Sequence, residues 1–237
     1  MIFPCIDIMD GKVVQLVQGR ETALEGGSAD EMLRLFQAFP EIQVVDLDSA
    51  LDNRTNNNHL VEYISRRVKA RVGGGVRSVQ RAKDLICCGA HRLIVGTSAF
   101  TSTGLNTSFL EALAEAVDPE RVVIALDSKD GRIVVKGWRE STEIRALDVV
   151  RELDPFCSGY LCTYVDKEGM MQGTDLDWFG RLRLSTDHEV TAAGGITTMD
   201  DVYTLTNINV NCAIGMAIYT GTLCLSELAA INGAPAS

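Results

Sequence analysis

Asp7-Ile8-Met9-Asp10-Gly11-Lys12-Val13-Val14 returns 120 residues later as Asp127-Ser128-Lys129-Asp130-Gly131-Arg132-Ile133-Val134, with both aspartates, the glycine, the basic residue and the last valine in place. The same displacement carries Gly74-Gly75 onto Gly194-Gly195, and a displacement of 119 carries Gly96 onto Gly215 and Phe100 onto Tyr219. One offset relating distant sites marks an internal duplication. Around these stretches lie eight short apolar runs: Phe3 to Ile8, Gln43 to Leu47, Lys69 to Val72, Arg92 to Val95, Val122 to Leu126, Gly159 to Thr163, Glu189 to Ala193 and Cys212 to Ile214. Their spacing of about thirty residues is that of a strand plus a helix. The runs are continuous rather than alternating, as expected when helices cover one face and packed side chains fill the other. Four βα units per half, joined by right-handed crossovers, predict an α/β fold, a (β/α)8 TIM barrel with a two-fold half-barrel repeat. No linker or low-complexity tract divides residues 1–237, which read as a single domain with half-barrels at about 1–119 and 120–237. An open doubly wound sheet, the competing α/β architecture, does not predict such a repeat.

Punctuation between the runs supports the scheme. Ser28-Ala29-Asp30-Glu31 reads as a capping box ahead of a helix over Met32 to Phe39, and Ser108-Phe109-Leu110-Glu111 as another ahead of Ala112 to Val117. Ser78 is placed to cap Val79 to Cys88 with Gly89 as the stop, Leu176 to Leu184 follows Asp175, and Thr198 precedes Met199 to Thr206. The turns Asp10-Gly11 and Asp130-Gly131 lead into Lys12 to Val17 and Arg132 to Lys136, predicting a small hairpin at one rim in each half.

Composition narrows the function classes. With 22 Lys and Arg against 32 Asp and Glu, the net charge of −10 and the lack of a basic patch disfavour nucleic acids and anionic membranes. Met1 to Asp7 has no basic segment followed by a long apolar run, and no stretch offers about 18 uncharged apolar residues, so a cytoplasmic location is expected. The seven cysteines form no CxxC pair, and Cys5, Cys87, Cys162 and Cys212 sit in apolar runs, which reads as buried free thiols. His59, His91 and His188 have no ligand spacing. No metal is assigned.

The special residues gather at strand ends, where a barrel of this kind carries its functional loops. Gly73-Gly74-Gly75-Val76-Arg77 and Val95-Gly96-Thr97-Ser98 follow the third and fourth strands. Glycine there lets backbone N–H groups approach an anion closely, so the two loops read as one phosphate cradle. Its twin is Ala193-Gly194-Gly195-Ile196 with Ile214-Gly215-Met216-Ala217 after the seventh and eighth strands. A lone glycine pair is more simply a tight turn; two pairs at matched positions favour the cradles. Asp7 and Asp127 end the first and fifth strands, on opposite sides of one mouth. Either alone serves equally well as a loop cap, but a related pair between two cradles reads as a general acid and a general base. The arrangement calls for an elongated substrate with a phosphate at each end. Thr163 either touches substrate or bonds to backbone, Trp138 either closes over a planar ligand or packs in its loop, and Trp178 reads as packing. Asp46 and Asp48, by strand alternation, are expected to face the same way, with one of them supporting the site or neither.

At this point the residues resemble a known family. Pro4-Cys5-Ile6-Asp7-Ile8-Met9-Asp10-Gly11-Lys12-Val13-Val14-Gln15-Leu16-Val17-Gln18-Gly19, Val45-Asp46-Leu47-Asp48, the two glycine pairs, Gly137-Trp138, Cys162-Thr163 with Glu168-Gly169, and Ile214 to Tyr219 are similar to the phosphoribosylformimino-5-aminoimidazole carboxamide ribotide isomerases of histidine biosynthesis. The resemblance implies a (β/α)8 barrel that catalyses an Amadori rearrangement of an aminoaldose to an aminoketose without a cofactor. By resemblance, Asp127 is the acid that protonates the ribose ring oxygen, Asp7 the base that removes the C2 proton, and Thr163 an assisting residue. Gly74, Gly75, Arg77, Gly96 and Thr97 would hold one phosphate, Gly194, Gly195, Gly215 and Met216 the other, and Trp138 would stack on the imidazole carboxamide ring. Many relatives carry a basic residue where this chain has Gln15 and another where it has Met216, so phosphate binding leans here on backbone N–H groups. The sixth-strand motif usually reads Thr-Asp and here reads Thr163-Tyr164, and the loop Arg20 to Gly27 is shorter than usual. Three rivals stand beside this reading: an isomerase that also accepts phosphoribosylanthranilate, the sister cyclase of the pathway, and a noncatalytic phosphosugar-binding barrel. The expected partner is a bisphosphorylated small molecule, and a monomer suffices because one chain supplies both halves.

Overall fold

Val122 to Ala125 is apolar at every position and buried at every position, because helices cover one side of it and packed side chains the other. Eight such strands set the architecture of the computed structural model, which describes residues 1–17, 21–25, 27–51, 57–165 and 173–233. They are β1 (Ile2–Met9), β2 (Ile42–Asp46), β3 (Ala70–Gly73), β4 (Arg92–Val95), β5 (Val122–Ala125), β6 (Gly159–Thr163), β7 (Glu189–Ala193) and β8 (Val210–Ile214). Each pairs in parallel with the next in sequence. The sheet closes through Ile2↔Cys212, Phe3↔Ala213 and Pro4↔Ile214. The crossover helices are α1 (Ala29–Leu35), α2 (Asn58–Ser65), α3 (Val79–Cys87), α4 (Thr107–Ala116), α5 (Ala146–Leu153), α6 (Leu176–Ser185), α7 (Met199–Asn207) and α8 (Leu225–Ile231). The result is the (β/α)8 barrel.

Alternation along β1 divides the core. Ile2, Ile6 and Ile8 are fully buried in the layer between strands and helices, whereas Cys5 joins Ile94, Val123, Ala125, Leu161 and Ala213 inside the barrel. Below them the amino-terminal end is closed by charge. The fully buried Arg71 lies 3.5 Å over the Phe3 ring and donates to Glu189 Oε1 at 3.2 Å and Thr191 Oγ1 at 3.1 Å. Arg92 bridges Glu189 and Glu41 alongside. Above, Asp7 continues the same inward row at the carboxyl-terminal mouth.

The duplication is visible in backbone angles: Asp10 and Asp130 have φ 50° and 49°, and Gly11 and Gly131 have φ 72° and 73°. Each Asp-Gly turn opens a rim hairpin, the first pairing β1 with Lys12–Val17 and the second pairing Ser128–Lys129 with Arg132–Val135.

Several expectations shift. Strand β2 stops at Asp46, and Leu47–Leu51 is a short helix. Helix α1 runs from Ala29 to Leu35 rather than from Met32 to Phe39, with Ser28 accepting from the Glu31 amide and Phe36 as its C-cap. Helix α4 begins at Thr107, so Ser108 lies inside the first turn and bonds Asn106 Oδ1 at 3.2 Å instead of capping. Part of the segment expected as the loop Arg20 to Gly27 is a strand, Glu21–Glu25, antiparallel to Lys12–Val17. Gln18, Gly19, Arg20 and Gly26 lie outside the described residues, as do Glu168 and Gly169 and the side chain of Gln15. All seven cysteines are free, and Cys87, expected to be buried, is exposed at the end of α3. Among the described residues no helix is long and apolar enough to cross a membrane.

Candidate active site

The carboxyl-terminal mouth holds a cavity of about 270 Å³, lined by Asp7, Asp127, Thr163, Trp138 and every residue expected to hold a phosphate. Its two glycine-rich walls have matching backbones. Gly74 and Gly75 have φ 102° and 69°, and Gly194 and Gly195 have φ 84° and 75°. A Cβ on Gly74 would lie 2.1 Å from the Asp46 carbonyl oxygen, so only glycine fits where this loop crosses the end of β2. Gly96 and Gly215 share φ −107° and −109°, and each precedes a helical turn, Thr97–Ala99 and Met216–Tyr219. Gly96, Thr97, Gly215 and Met216 line the cavity at these turns, and the first amides of a helical turn have no partner within it, which suits them to an anion. Arg77 lines it too, but its guanidinium is tied to the Ser49 and Ala50 carbonyls at 3.1 and 2.6 Å, fastening the first cradle to the helix Leu47–Leu51.

The two aspartates occupy related positions with unlike surroundings. In the β1–β2 register Asp7 stands opposite Val45, and enclosure, with no compensating hydrogen bond from the described residues, pushes its carboxyl pKa up to about 7. In the second half Ala125 stands opposite Leu161, which sets Thr163 beside Asp127 two residues on. Burial pushes the Asp127 carboxyl upward as well, but polar groups of Thr163 and the Trp138 indole favour its charged form. Trp138 Nε1 donates to Asp127 Oδ2 at 2.8 Å, while Oδ1 is buried with no hydrogen-bond partner among the described residues.

Trp138 reaches the carboxylate from an unusual turn. Lys136, Gly137 and Trp138 have φ 55°, 64° and 63°, three left-handed residues in succession, two of which carry a side chain. The turn is held at its start by the Lys136 amide, which donates to Thr97 Oγ1 at 2.8 Å.

Asp46 and Asp48 do not line the cavity. Strand alternation ends at Asp46, so the two carboxylates, each about 1% exposed, converge on Asn57, whose Nδ2 donates to Asp46 Oδ1 at 2.8 Å and Asp48 Oδ2 at 2.9 Å. Asp48 Oδ2 also accepts from the Asp10 amide, and Asn57 Oδ1 from the Gly11 amide. This network pins the Asp10-Gly11 turn to the end of β2. Trp178 packs edge-on against Phe179, 4.9 Å between centroids, and His91 and His188 bond Glu41 and Asp154 away from the mouth. The sequence reading passed over Asn57, Val45 and Gln43. Gln43, a polar residue in an apolar strand, lines the cavity floor with a buried Oε1 that has no partner among the described residues; its polarity in that strand was the available signal.

Comparison with known proteins gives one family. The model of the family described as histidine biosynthesis protein matches residues 1–224. A protein of Methanocaldococcus jannaschii named 1-(5-phosphoribosyl)-5-((5-phosphoribosylamino)methylideneamino)imidazole-4-carboxamide isomerase is 32% identical over 233 residues, covering 96% of this chain and 97% of its own. Proteins of the same name from Methanococcus voltae and Desulfitobacterium hafniense are each 33% identical, covering 98% of this chain and 96% and 97% of their own.

Proposed function

The chain belongs to the histidine biosynthesis protein family, and on that premise we propose that its cavity isomerises the bisphosphorylated aminoaldose named in its relatives to the corresponding aminoketose. The observation that carries this reading is the pair of inward aspartates, Asp7 and Asp127, set between two cradles of matching backbone. A substrate with a phosphate at each end spans the cradles and brings its central ribose between the carboxyls. Gly74, Gly75, Gly96 and Thr97 take one phosphate, with Arg77 bracing their loop. Gly194, Gly195, Gly215 and Met216 take the other through backbone N–H groups.

The chemistry then follows from the carboxyls. Asp127 gives its proton to the ribose ring oxygen as the C1–O bond breaks, and the anomeric nitrogen's lone pair forms the Schiff base. Asp7 takes the C2 proton, and the electron pair of that C–H bond forms the enolamine. Protonation at C1 and loss of the C2 hydroxyl proton give the aminoketose. C1 is reduced and C2 oxidised within one molecule, so proton transfers alone complete the rearrangement. A base with pKa about 7 suits the second step, because its ionised form is well populated near neutrality yet basic enough to accept a carbon-bound proton. Thr163 assists by supporting Asp127.

Purified protein is expected to convert phosphoribosylformimino-5-aminoimidazole carboxamide ribotide to its phosphoribulosyl form, followed by absorbance or chromatography, and Asp127→Asn to abolish it. No turnover by folded wild type sinks the reading. Phosphoribosylanthranilate in a parallel assay tests whether the same pair acts on a second aminoaldose.

A further inference from the structure

Trp138 touches the candidate acid in a way that stacking on a substrate ring does not require. Its indole N–H donates to Asp127 Oδ2 at 2.8 Å. Asp127 lines the cavity, and its Oδ1 is buried with no hydrogen-bond partner among the described residues. An indole nitrogen donates and does not accept. Trp138 therefore fixes the carboxyl group without taking the acid proton from it.

What holds the indole there lies in the phosphate cradle. The Lys136 amide donates to Thr97 Oγ1 at 2.8 Å, and this bond holds the start of the left-handed turn from Lys136 to Trp138 that carries the indole to Asp127. Gly137 fits closely, since a Cβ there would lie 2.8 Å from Leu51 Cδ2. Accepting from Lys136 also orients the Thr97 hydroxyl, whose own O–H remains to donate to an anion in the cradle.

We propose that the turn Lys136–Trp138 is a positioning device that ties the Thr97 cradle to the Asp127 carboxyl, with the Trp138 indole N–H aiming the acid and Thr97 holding the indole. The proposal rests on the reading of Asp127 as the acid. Groups of other elements facing Asp127 are Thr163, the buried Cys162 thiol of β6 and, across the mouth, Asp7; the Lys136 ammonium is paired with Glu140 at 2.9 Å. Among the described residues no charged group contributes to the displacement of the Asp127 pKa, so loss of the indole donor is readable in its titration.

Trp138→Phe keeps an aromatic ring and removes the indole N–H. The Asp127 carboxyl, followed by carbon-13 NMR in the ligand-free protein, is expected to titrate about one pH unit higher, since a hydrogen bond favouring the charged form is gone. In turnover, kcat is expected to fall about tenfold with KM within about threefold, because aim rather than affinity is lost. Thr97→Val is expected to reproduce the upward titration of Asp127 although it does not touch that residue, and Thr97→Ser to restore the wild-type value. An unchanged Asp127 titration in Trp138→Phe, or a rise in KM alone, overturns the positioning role; an unchanged titration in Thr97→Val overturns the tie to the cradle. Failure of the functional reading appears separately, as activity retained by Asp127→Asn, because the titration is measured without substrate.

Discussion

Asp7 and Asp127 descend from the same position of the repeat, and their neighbours make them different. Val45 gives Asp7 no hydrogen bond, whereas Thr163 and Trp138 support Asp127. Environments that separate two carboxyls are what an acid and a base need. Holding Asp7 in this setting costs stability. Its folded-state pKa of about 7 lies above the ordinary 3.8, so folding takes up a proton; the stability of the protonated form is complete below about pH 4 and is lost as pH rises through 7. Asp7→Asn is therefore expected to be more stable than wild type at pH 8, by at most about 4 kcal/mol, with the difference vanishing near pH 4. Urea denaturation at the two pH values checks it, and equal stabilities at pH 8 contradict it. The aspartates were legible in the sequence because the repeat marks them. The indole contact was not, because it depends on two residues with side chains adopting left-handed angles, Lys136 and Trp138, which no local pattern announces.

At the scale of elements, legibility followed capping. Ser28, Ser78, Asp175 and Thr198 each accept a backbone N–H at the start of α1, α3, α6 and α7, and those helices were read from the sequence. The N-caps of α2, α4, α5 and α8 are Asn57, Asn106, Arg145 and Cys224, none of which makes a side-chain cap bond. Arg145 and Cys224 are not cap-type residues and Asn57 sits within three consecutive asparagines, so none of these three helices has a distinct start in the sequence, and α4 was entered late because Ser108 mimics a cap. Asn57 spends its side chain on Asp46, Asp48 and Gly11 instead, serving the rim rather than its helix. Two substitutions separate motif from function here. Thr198→Ala is expected to lower unfolding free energy by about 1 kcal/mol, and Ser108→Ala to change it by less than about 0.5 kcal/mol. Denaturant midpoints of the two variants decide, and an equal loss in both would show that the Ser108 motif caps after all.

The whole molecule separates stability from chemistry along the barrel axis. The amino-terminal end is closed by Arg71, Phe3, Glu189, Arg92 and Glu41, and the carboxyl-terminal end carries the cradles and both aspartates. The duplication runs through both layers but is not copied faithfully in either: Arg71 and Thr191, 120 residues apart, are bonded to each other as unlike partners. Burial lowers the Arg71 guanidinium to about 10 while Glu189 opposes the shift. Glu189→Gln leaves that buried cation less compensated and is expected to cost about 3 kcal/mol with kcat unchanged, measured by denaturation and turnover; a fall in kcat without loss of stability would contradict this division. The barrel itself was legible because a single offset related sites across the chain. The closed end was not, because Arg71 and Glu189 look like strand-edge charges until the sheet closes.

The proposed function centres on two cradles binding phosphate and two carboxyls reacting. The most direct measurement is substrate affinity and turnover of Asp7→Asn beside wild type, by calorimetry and by conversion of the phosphoribosylformimino substrate. The predicted result is a Kd within a few-fold of wild type with turnover lowered by about a thousandfold or more, as expected when a group acting only in the reaction is removed. Turnover retained within tenfold, or affinity lost along with activity, would contradict it.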